Sequence, residues 1–187
     1  MPLSELLDRV AEATPAPGGG SSSAVTCALA AGLVEMAAGF GGAELDDSGR
    51  RASELRERAL SLAARDLTSY EPVLAALRLP SADPERERRI ARASADAAQV
   101  PFEIAELGAE LAQLAERSVS RGSRHLEGDA TTAALLAEAA CRAAVRLVEI
   151  NLGGAGEDER LPRARRLADD ATSARERALA TRSGNGT

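Results

Sequence analysis

The chain has 187 residues and a formal net charge of -6, and 44% of its residues are hydrophobic but only 2% are aromatic. This length and apolar content suit one domain with a sizeable core, and the acidic balance argues against a nucleic-acid surface. A core almost without aromatic rings must be built from Ala, Leu, Val and Ile, which favours close-packed helices over sheets. We therefore expect a single all-α domain over residues 1–187, with Ser183–Thr187 frayed.

The first predicted helix, Ser4–Ala13, is short and amphipathic and ends at the loop Thr14-Pro15-Ala16-Pro17-Gly18-Gly19-Gly20-Ser21. This irregular loop leads into a second, apolar helix, about Ser21–Phe40, for which Ser21–Ser23 offer N-cap hydroxyls. Free N–H groups and the helix dipole would favour an anion there, and the alternative is a hinge that only lets two helices pack closely. The loop is not a Walker A motif, because the chain contains no lysine.

The stretch Ala24–Ala43, which includes most of the second helix, is long enough to span a bilayer and has Glu35 as its one charged residue. Its Ser, Thr and Gly content and the lack of flanking basic residues favour a buried core helix and no membrane partner. Cys27 and Cys141 lie in apolar helical runs, where reduced thiols act as small core residues. Since the first residues also lack the pattern of a secretory signal, we predict a cytoplasmic protein.

The third predicted helix, about Gly49–Leu79, carries a carboxylate on its apolar stripe. At about 100° per residue, Asp66 lies in the middle of a row formed by Leu55, Ala59, Leu62, Tyr70, Val73 and Leu77. An ionised carboxylate in such a row is costly unless it is paired. Asp66 therefore bonds to Ser or Arg of another helix, faces a polar cavity, or is protonated. Pro72 removes an N–H that would bond back to Thr68, which predicts a bend near Asp66.

Three more helices follow. The fourth opens after Asp83-Pro84 and extends to about Val119 with a kink at Pro101, and two proline-kinked helices predict a cavity between them. The fifth begins at Asp129, an N-cap candidate, with the apolar stripe Ala133, Leu136, Ala140, Ala143, Leu147 and Ile150. The last, about Leu161–Arg182, is charged and mostly faces solvent. We expect an antiparallel bundle of five to six helices, two of them long and proline-kinked.

The polar connection Ser120–Gly128 contains the one histidine of the chain, His125, beside two arginines. A lone histidine in a loop is usually solvated, and no second His or Cys lies at metal-ligand spacing. We therefore predict no metal site.

In their order and spacing, several short motifs resemble those of the formiminotetrahydrofolate cyclodeaminase/methenyltetrahydrofolate cyclohydrolase family. The resemblance covers residues 3 to about 155 and begins with the Thr14–Ser21 loop. The other motifs are Asp66-Leu67-Thr68-Ser69-Tyr70, Leu77-Arg78-Leu79-Pro80, Val100-Pro101-Phe102, Asp129-Ala130 and Ile150-Asn151-Leu152. The resemblance implies an all-helical homodimer that binds a reduced folate beside the glycine-rich loop and needs neither a metal nor another cofactor.

The resemblance places the family's catalytic carboxylate on Asp66, which would act as general base and acid beside a cationic substrate. The candidate substrate-binding residues are Pro17, Gly18, Gly19, Gly20, Ser21, Tyr70, Asp129 and Asn151. Gly18–Ser21 would hold the ligand through backbone donors. Asp129 and Asn151, at opposite ends of the fifth helix, are candidates for hydrogen bonds to the pterin, but helix capping explains either residue equally well.

The predicted function is hydrolysis of 5,10-methenyltetrahydrofolate to 10-formyltetrahydrofolate, which a free-standing chain without an attached transferase domain favours. One alternative is the ammonia-releasing cyclisation of formiminotetrahydrofolate. The other is a non-catalytic folate-binding or helical interaction module of the same fold. The segment Gly41-Gly42-Ala43-Glu44-Leu45-Asp46-Asp47 favours this last alternative, because members of the family often carry a lysine-rich loop there.

Overall fold

The computed structural model describes residues 2–153 and 157–180, in which all regular structure is helical. The α-helices in chain order are α1 Leu3–Ala11, α2 Gly19–Gly39, α3 Asp46–Ser69, α4 Glu71–Leu77, α5 Arg86–Ala97, α6 Gln99–Arg121, α7 Glu127–Leu152 and α8 Arg160–Ala180. Short 3₁₀ turns at Ala43–Leu45 and Arg124–Leu126 precede α3 and α7. The predicted all-α class is confirmed, whereas the fraying predicted for Ser183–Thr187 lies outside the described residues.

Both proline-containing helices divide in two, which accounts for the larger number of shorter helices in the described residues. The predicted third helix stops at Ser69, and Tyr70 links it to α4, where Pro72 occupies the first turn. The predicted fourth helix divides at Ala98, and Pro101 lies in the first turn of α6. Proline is tolerated in a first turn, where its missing N–H would have no intrahelical acceptor. Each proline therefore belongs to a new helix instead of kinking an old one.

The core forms where α2, α3, α6 and α7 pack together, with α8 covering α6 and α7. Eleven residues of α2 are buried, nearly all of them Ala, Ser, Gly or Cys, so its neighbours approach the helix backbone closely. By length and composition α2 could cross a membrane, but here it is a central helix of the bundle, as predicted for Ala24–Ala43.

Cys27 and Cys141 are fully buried free thiols, also as predicted. Burial raises the pKa of each thiol to about 12.

The fifth predicted helix differs from α7 in its start and in its buried face. Leu126 is the N-cap residue and no side chain caps the helix, so Asp129 lies within the first turn and its predicted N-cap role is wrong. The face that packs consists mainly of alanines, whereas Ala143 and Ile150 of the predicted stripe are exposed. Close packing explains this face: a Cβ at Gly108 of α6 would lie 2.9 Å from the Cβ of Cys141. At that distance only small side chains fit between the helices.

Candidate active site

The first turn of α2 receives the side chain of Asp66 from the end of α3. The Ser21 N–H donates to Asp66 Oδ2 at 2.6 Å, and the Ser21 hydroxyl donates to the same oxygen at 2.7 Å. Because the first N–H groups of a helix have no intrahelical acceptor, the carboxylate caps α2 from a neighbouring helix. Of the alternatives that the sequence leaves open for Asp66, a bond to a serine of another helix is therefore present.

Gly20 makes this contact sterically possible. A Cβ at position 20 would overlap Asp66 Oδ1 and would lie 2.5 Å from Cγ and 2.7 Å from Oδ2. Any side chain larger than hydrogen would thus push the carboxylate away from the helix. The glycine is required here by close approach, since its backbone does not adopt a positive φ.

The helix begins at Gly19, two residues earlier than predicted, with Gly18 as N-cap and no side-chain cap. The hydroxyls of Ser22 and Ser23 donate to the carbonyl oxygens of Gly18 and Gly19. Serines inside a first turn can reach the carbonyl four residues earlier, so the N-cap role predicted for Ser21–Ser23 is wrong. In the described part of the chain, the N–H groups of Gly19 and Gly20 have no hydrogen-bond acceptor, and both residues border a cavity.

This cavity of about 270 Å³ opens beside Asp66. Its walls are formed by the loop before α2, the α3–α4 junction, the α5–α6 junction and the end of α7. The lining residues are Pro15, Ala16, Gly18, Gly19, Gly20, Asp66, Ser69, Tyr70, Ala97, Pro101, Leu147, Ile150 and Asn151. Both proline-interrupted regions therefore border one cavity, as the sequence predicts, and Asp66 both bonds to a serine and faces this space.

The structure brings together most of the predicted site residues. In addition to Asp66, the cavity is lined by the predicted residues Gly18, Gly19, Gly20, Tyr70 and Asn151. Ser21 donates to the Asp66 carboxylate, and Ser21 and Pro17 both border a separate groove of about 390 Å³ formed by α1, α2 and α3. Asp129 reaches neither space, because it lies 22 positions before Asn151 in α7, which is roughly 33 Å at about 1.5 Å per residue. One copy of the chain therefore does not bring Asp129 to Asp66.

Sequence reasoning missed the apolar wall of the cavity. Leu147 and Ile150 of α7 were assigned to the core stripe, yet both line the cavity, and the Ile150 side chain is 60% exposed. Ala97 and Pro101 contribute from the α5–α6 junction. The signal for this wall in the sequence is the motif Ile150-Asn151-Leu152, in which Ile150 and Asn151 both line the cavity.

Asp66 has neutral hydrogen-bond donors only. The neighbouring Arg65 donates instead to both carboxylate oxygens of Glu103 on α6, at 2.8 and 3.0 Å. These bonds hold the pKa of Glu103 below its ordinary value. In the described residues no arginine pairs with Asp66, so the cavity has a carboxylate without a protein counter-ion. Such a site suits a ligand with positive charge.

No group of three or more His, Cys, Asp or Glu side chains that could hold a metal exists within residues 2–153 and 157–180. His125 is exposed in the 3₁₀ turn before α7, as predicted. The metal-free site stays a prediction.

A family model described as formiminotransferase-cyclodeaminase matches residues 2–169. The chain belongs to this family. It is 29% identical over 196 residues to the methenyltetrahydrofolate cyclohydrolase of Methylorubrum extorquens, and the match covers 96% of this chain and 94% of that relative. The crystal structure of formiminotetrahydrofolate cyclodeaminase from Thermotoga maritima is also similar, with a TM-score of 0.85, 25% identity and coverage of 98% of this chain and 96% of that one. The resemblance seen in the motifs is thus confirmed, and the family is one of folate one-carbon enzymes.

Proposed function

We propose that this protein hydrolyses 5,10-methenyltetrahydrofolate to 10-formyltetrahydrofolate in the cavity beside Asp66. The observation that carries the proposal is a carboxylate on the cavity wall whose partners are the neutral donors of Ser21. Such a carboxylate leaves its negative charge for the cationic substrate. The Methylorubrum extorquens relative, which matches nearly the whole chain, is named for this reaction.

The reaction needs one group that takes and returns a proton. The methenyl carbon shares positive charge with N5 and N10, and the Asp66 carboxylate stabilises that charge. Asp66 accepts a proton from water as the water oxygen bonds to the methenyl carbon. It returns this proton to N5 as the bond between the carbon and N5 breaks. The remaining hydroxyl proton leaves to solvent, the formyl group stays on N10, and general acid–base catalysis of this kind contributes about 10²–10⁴ in rate.

The remaining walls supply contacts for the pterin end of the substrate. The free N–H groups of Gly19 and Gly20 donate to acceptor atoms of the ring, and Asn151 and the Tyr70 hydroxyl add side-chain hydrogen bonds. Leu147 and Ile150 cover the apolar face of the ring. At about 270 Å³ the cavity is small for a whole folate, since ligand pockets commonly measure about 300–1,000 Å³. The glutamate tail would therefore extend outside it.

A second candidate function is the cyclisation of formiminotetrahydrofolate with release of ammonia. It is supported by the similarity to the Thermotoga maritima enzyme, which is named for that reaction and matches 98% of this chain. The same carboxylate would serve, because N10 loses a proton as it attacks the formimino carbon and the leaving nitrogen gains one.

The deciding experiment follows the absorbance of methenyltetrahydrofolate with the wild-type protein and with Asp66→Asn. The amide keeps an acceptor for the Ser21 N–H but cannot exchange a proton, so we expect kcat to fall about 10²–10⁴-fold in a variant that still binds ligand. Glu103→Gln is the matched control, because it makes the same chemical change away from the cavity and should keep turnover. Circular dichroism checks that both variants are folded.

No wild-type acceleration over the spontaneous decay would contradict the hydrolysis. Ammonia release from formiminotetrahydrofolate would then identify the cyclisation. Folate binding with neither reaction would identify a non-catalytic module.

We also propose that the protein is a homodimer that associates through α1 and the outer side of α2. The α1 helix has no buried residue, and the side chains of Leu3 and Leu7 are 66% and 59% exposed. Leu29 of α2 and Phe40, the residue that follows α2, are 58% and 73% exposed. Large exposed apolar side chains are typical of a protein–protein contact, and a two-fold dimer would cover them on both copies. Light scattering after gel filtration should give a dimer for the wild type and a monomer for Leu29→Asp, whereas a monomeric wild type would contradict the proposal.

A further inference from the structure

The two carboxylate oxygens of Asp66 have different surroundings. Oδ2 accepts both hydrogen bonds from Ser21, at 2.6 Å from the N–H and 2.7 Å from the hydroxyl. In the described part of the chain Oδ1 accepts none, and it lies against the backbone of Gly20, which lines the cavity. The two oxygens of a free carboxylate are equivalent, so Ser21 creates the difference.

We propose that Ser21 is a positioning residue that reserves Oδ1 of Asp66 for proton transfer to and from the substrate. The inference rests on the proposed function and names the oxygen that performs it. With two donors directed at it, Oδ2 remains an acceptor whether or not the carboxyl group holds a proton. The transferred proton therefore stays on Oδ1, which accepts no hydrogen bond in the described part of the chain.

The Ser21 hydroxyl has a single proton, and its neighbours determine how that proton is used. Its oxygen is 2.7 Å from Asp66 Oδ2 but 3.3 Å from the carbonyl oxygen of Ala63. A hydrogen bond to a charged acceptor is shorter and stronger than one to a neutral carbonyl, so the proton points to Asp66. The second donor, the Ser21 N–H, is fixed in direction by the first turn of α2.

This role differs from the substrate binding that the sequence predicts for Ser21. The residue is only 2% exposed and is absent from the lining of the cavity beside Asp66. Both of its donors are already engaged by the carboxylate, so neither is free for a ligand. A substrate in this cavity would therefore be influenced by Ser21 only through the Asp66 carboxylate.

The test compares the steady-state kinetics of Ser21→Ala, Ser21→Thr and Ser23→Ala with those of the wild type. Ser21→Ala keeps the N–H donor and loses the hydroxyl, so we expect kcat to fall about tenfold with little change in KM. Ser21→Thr retains the hydroxyl and should recover most of the rate. Ser23→Ala is the control, because Ser23 is also buried but donates to the carbonyl oxygen of Gly19, and it should leave kcat unchanged.

Each of the following outcomes would overturn the inference. An unchanged kcat in Ser21→Ala would mean that the hydroxyl does not orient the carboxylate. A raised KM with unchanged kcat would identify Ser21 as a binding residue. A wild-type protein without turnover would overturn the proposed function and this inference together, whereas turnover in the wild type with a normal Ser21→Ala overturns this inference alone. If Ser21→Ala does not fold, Ser21→Val against Ser21→Thr repeats the comparison at equal shape, and equal kcat values would contradict the proposal.

Discussion

Arg65 and Asp66 are consecutive residues of α3, yet they belong to two different kinds of polar contact. Arg65 meets Glu103 of α6 in a two-bond ion pair, and each charge is satisfied by the other. Asp66 meets Ser21 of α2, whose donors carry no charge. A carboxylate with an arginine partner has little charge left for a ligand, while one held by neutral donors keeps it. Two consecutive residues of α3 thus contact a structural carboxylate, Glu103, in one case and provide the candidate catalytic carboxylate, Asp66, in the other.

Other ion pairs join α3 to α6 besides the one between Arg65 and Glu103. Arg51 donates to both carboxylate oxygens of Glu110, and Arg58 lies within 4.0 Å of Glu106. These pairs join α3 to α6 at the surface and do not border the cavity beside Asp66. Exposed pairs of this kind stabilise a fold only slightly, so changes on this side should affect stability and spare the reaction.

The largest expected effect comes from Gly20→Ala. The added methyl group would overlap Asp66 Oδ1, so the carboxylate must leave its place on α2. We expect turnover to fall at least about 10²-fold, since a displacement of roughly 1 Å at a reacting group costs that much. Gly32→Ala on the same helix is the control, because a Cβ there meets nothing within 4 Å. Normal kinetics in Gly20→Ala would show that the carboxylate is not needed where the structure holds it.

A smaller effect is expected for the stability of Asp66→Ala. The truncation removes the acceptor for the first turn of α2, and loss of such a cap costs about 0.5–2 kcal/mol. Asp66→Asn should lose less, because its amide oxygen still accepts from the Ser21 N–H. Urea unfolding at neutral pH measures both free energies. Equal stabilities of Asp66→Ala and the wild type would mean that the contact with Ser21 adds nothing to the fold.

The smallest effect belongs to the ion pair. Arg65→Met should keep full turnover and lose about 0.2–1 kcal/mol of unfolding free energy, as for other partly exposed pairs. A loss of turnover comparable to that of Asp66→Asn would contradict the purely structural role of Arg65.

The ion pair between Arg65 and Glu103 should make the free energy of unfolding depend on pH. The pKa of Glu103 is lower in the folded protein than its ordinary value of 4.5. The pair therefore contributes its full stability above about pH 4.5, and this contribution is lost as the pH falls through the lowered value. Glu103→Gln removes it, so the difference in unfolding free energy from the wild type should be largest at neutral pH and shrink under acid. A difference that is constant with pH would contradict this.

The fold could be predicted because its causes are local. Alanine-rich periodic segments form the helices, and Pro72 and Pro101 lie where helices divide, although a bend could not be distinguished from a break. Asp66 stood out because a carboxylate on an apolar stripe needs a partner. The partner itself is 45 residues away, and helix periodicity carries no information about contacts at that separation.

The start of α2 and the buried face of α7 differ from the sequence prediction, and each difference has a physical reason. The sequence places the start of α2 too late because glycine disfavours helix, whereas Gly19 and Gly20 are helical here, in a first turn that Asp66 of α3 caps at the Ser21 N–H. The face of α7 was misplaced because large apolar residues were assumed to be buried. Close packing selected the alanines instead and left Leu147 and Ile150 to line the cavity.

The three adjacent glycines of the loop differ in the substitutions they should tolerate. A Cβ at Gly18 or Gly19 would come no closer than 3.6 Å to a neighbour, which is ordinary contact, and neither residue has a positive φ. Alanine at either position would keep the backbone N–H. Gly20, in contrast, has no space for any side chain while Asp66 remains in place. Evolutionary drift in this loop should therefore spare position 20 for as long as the aspartate is retained, and the two residues should be lost together.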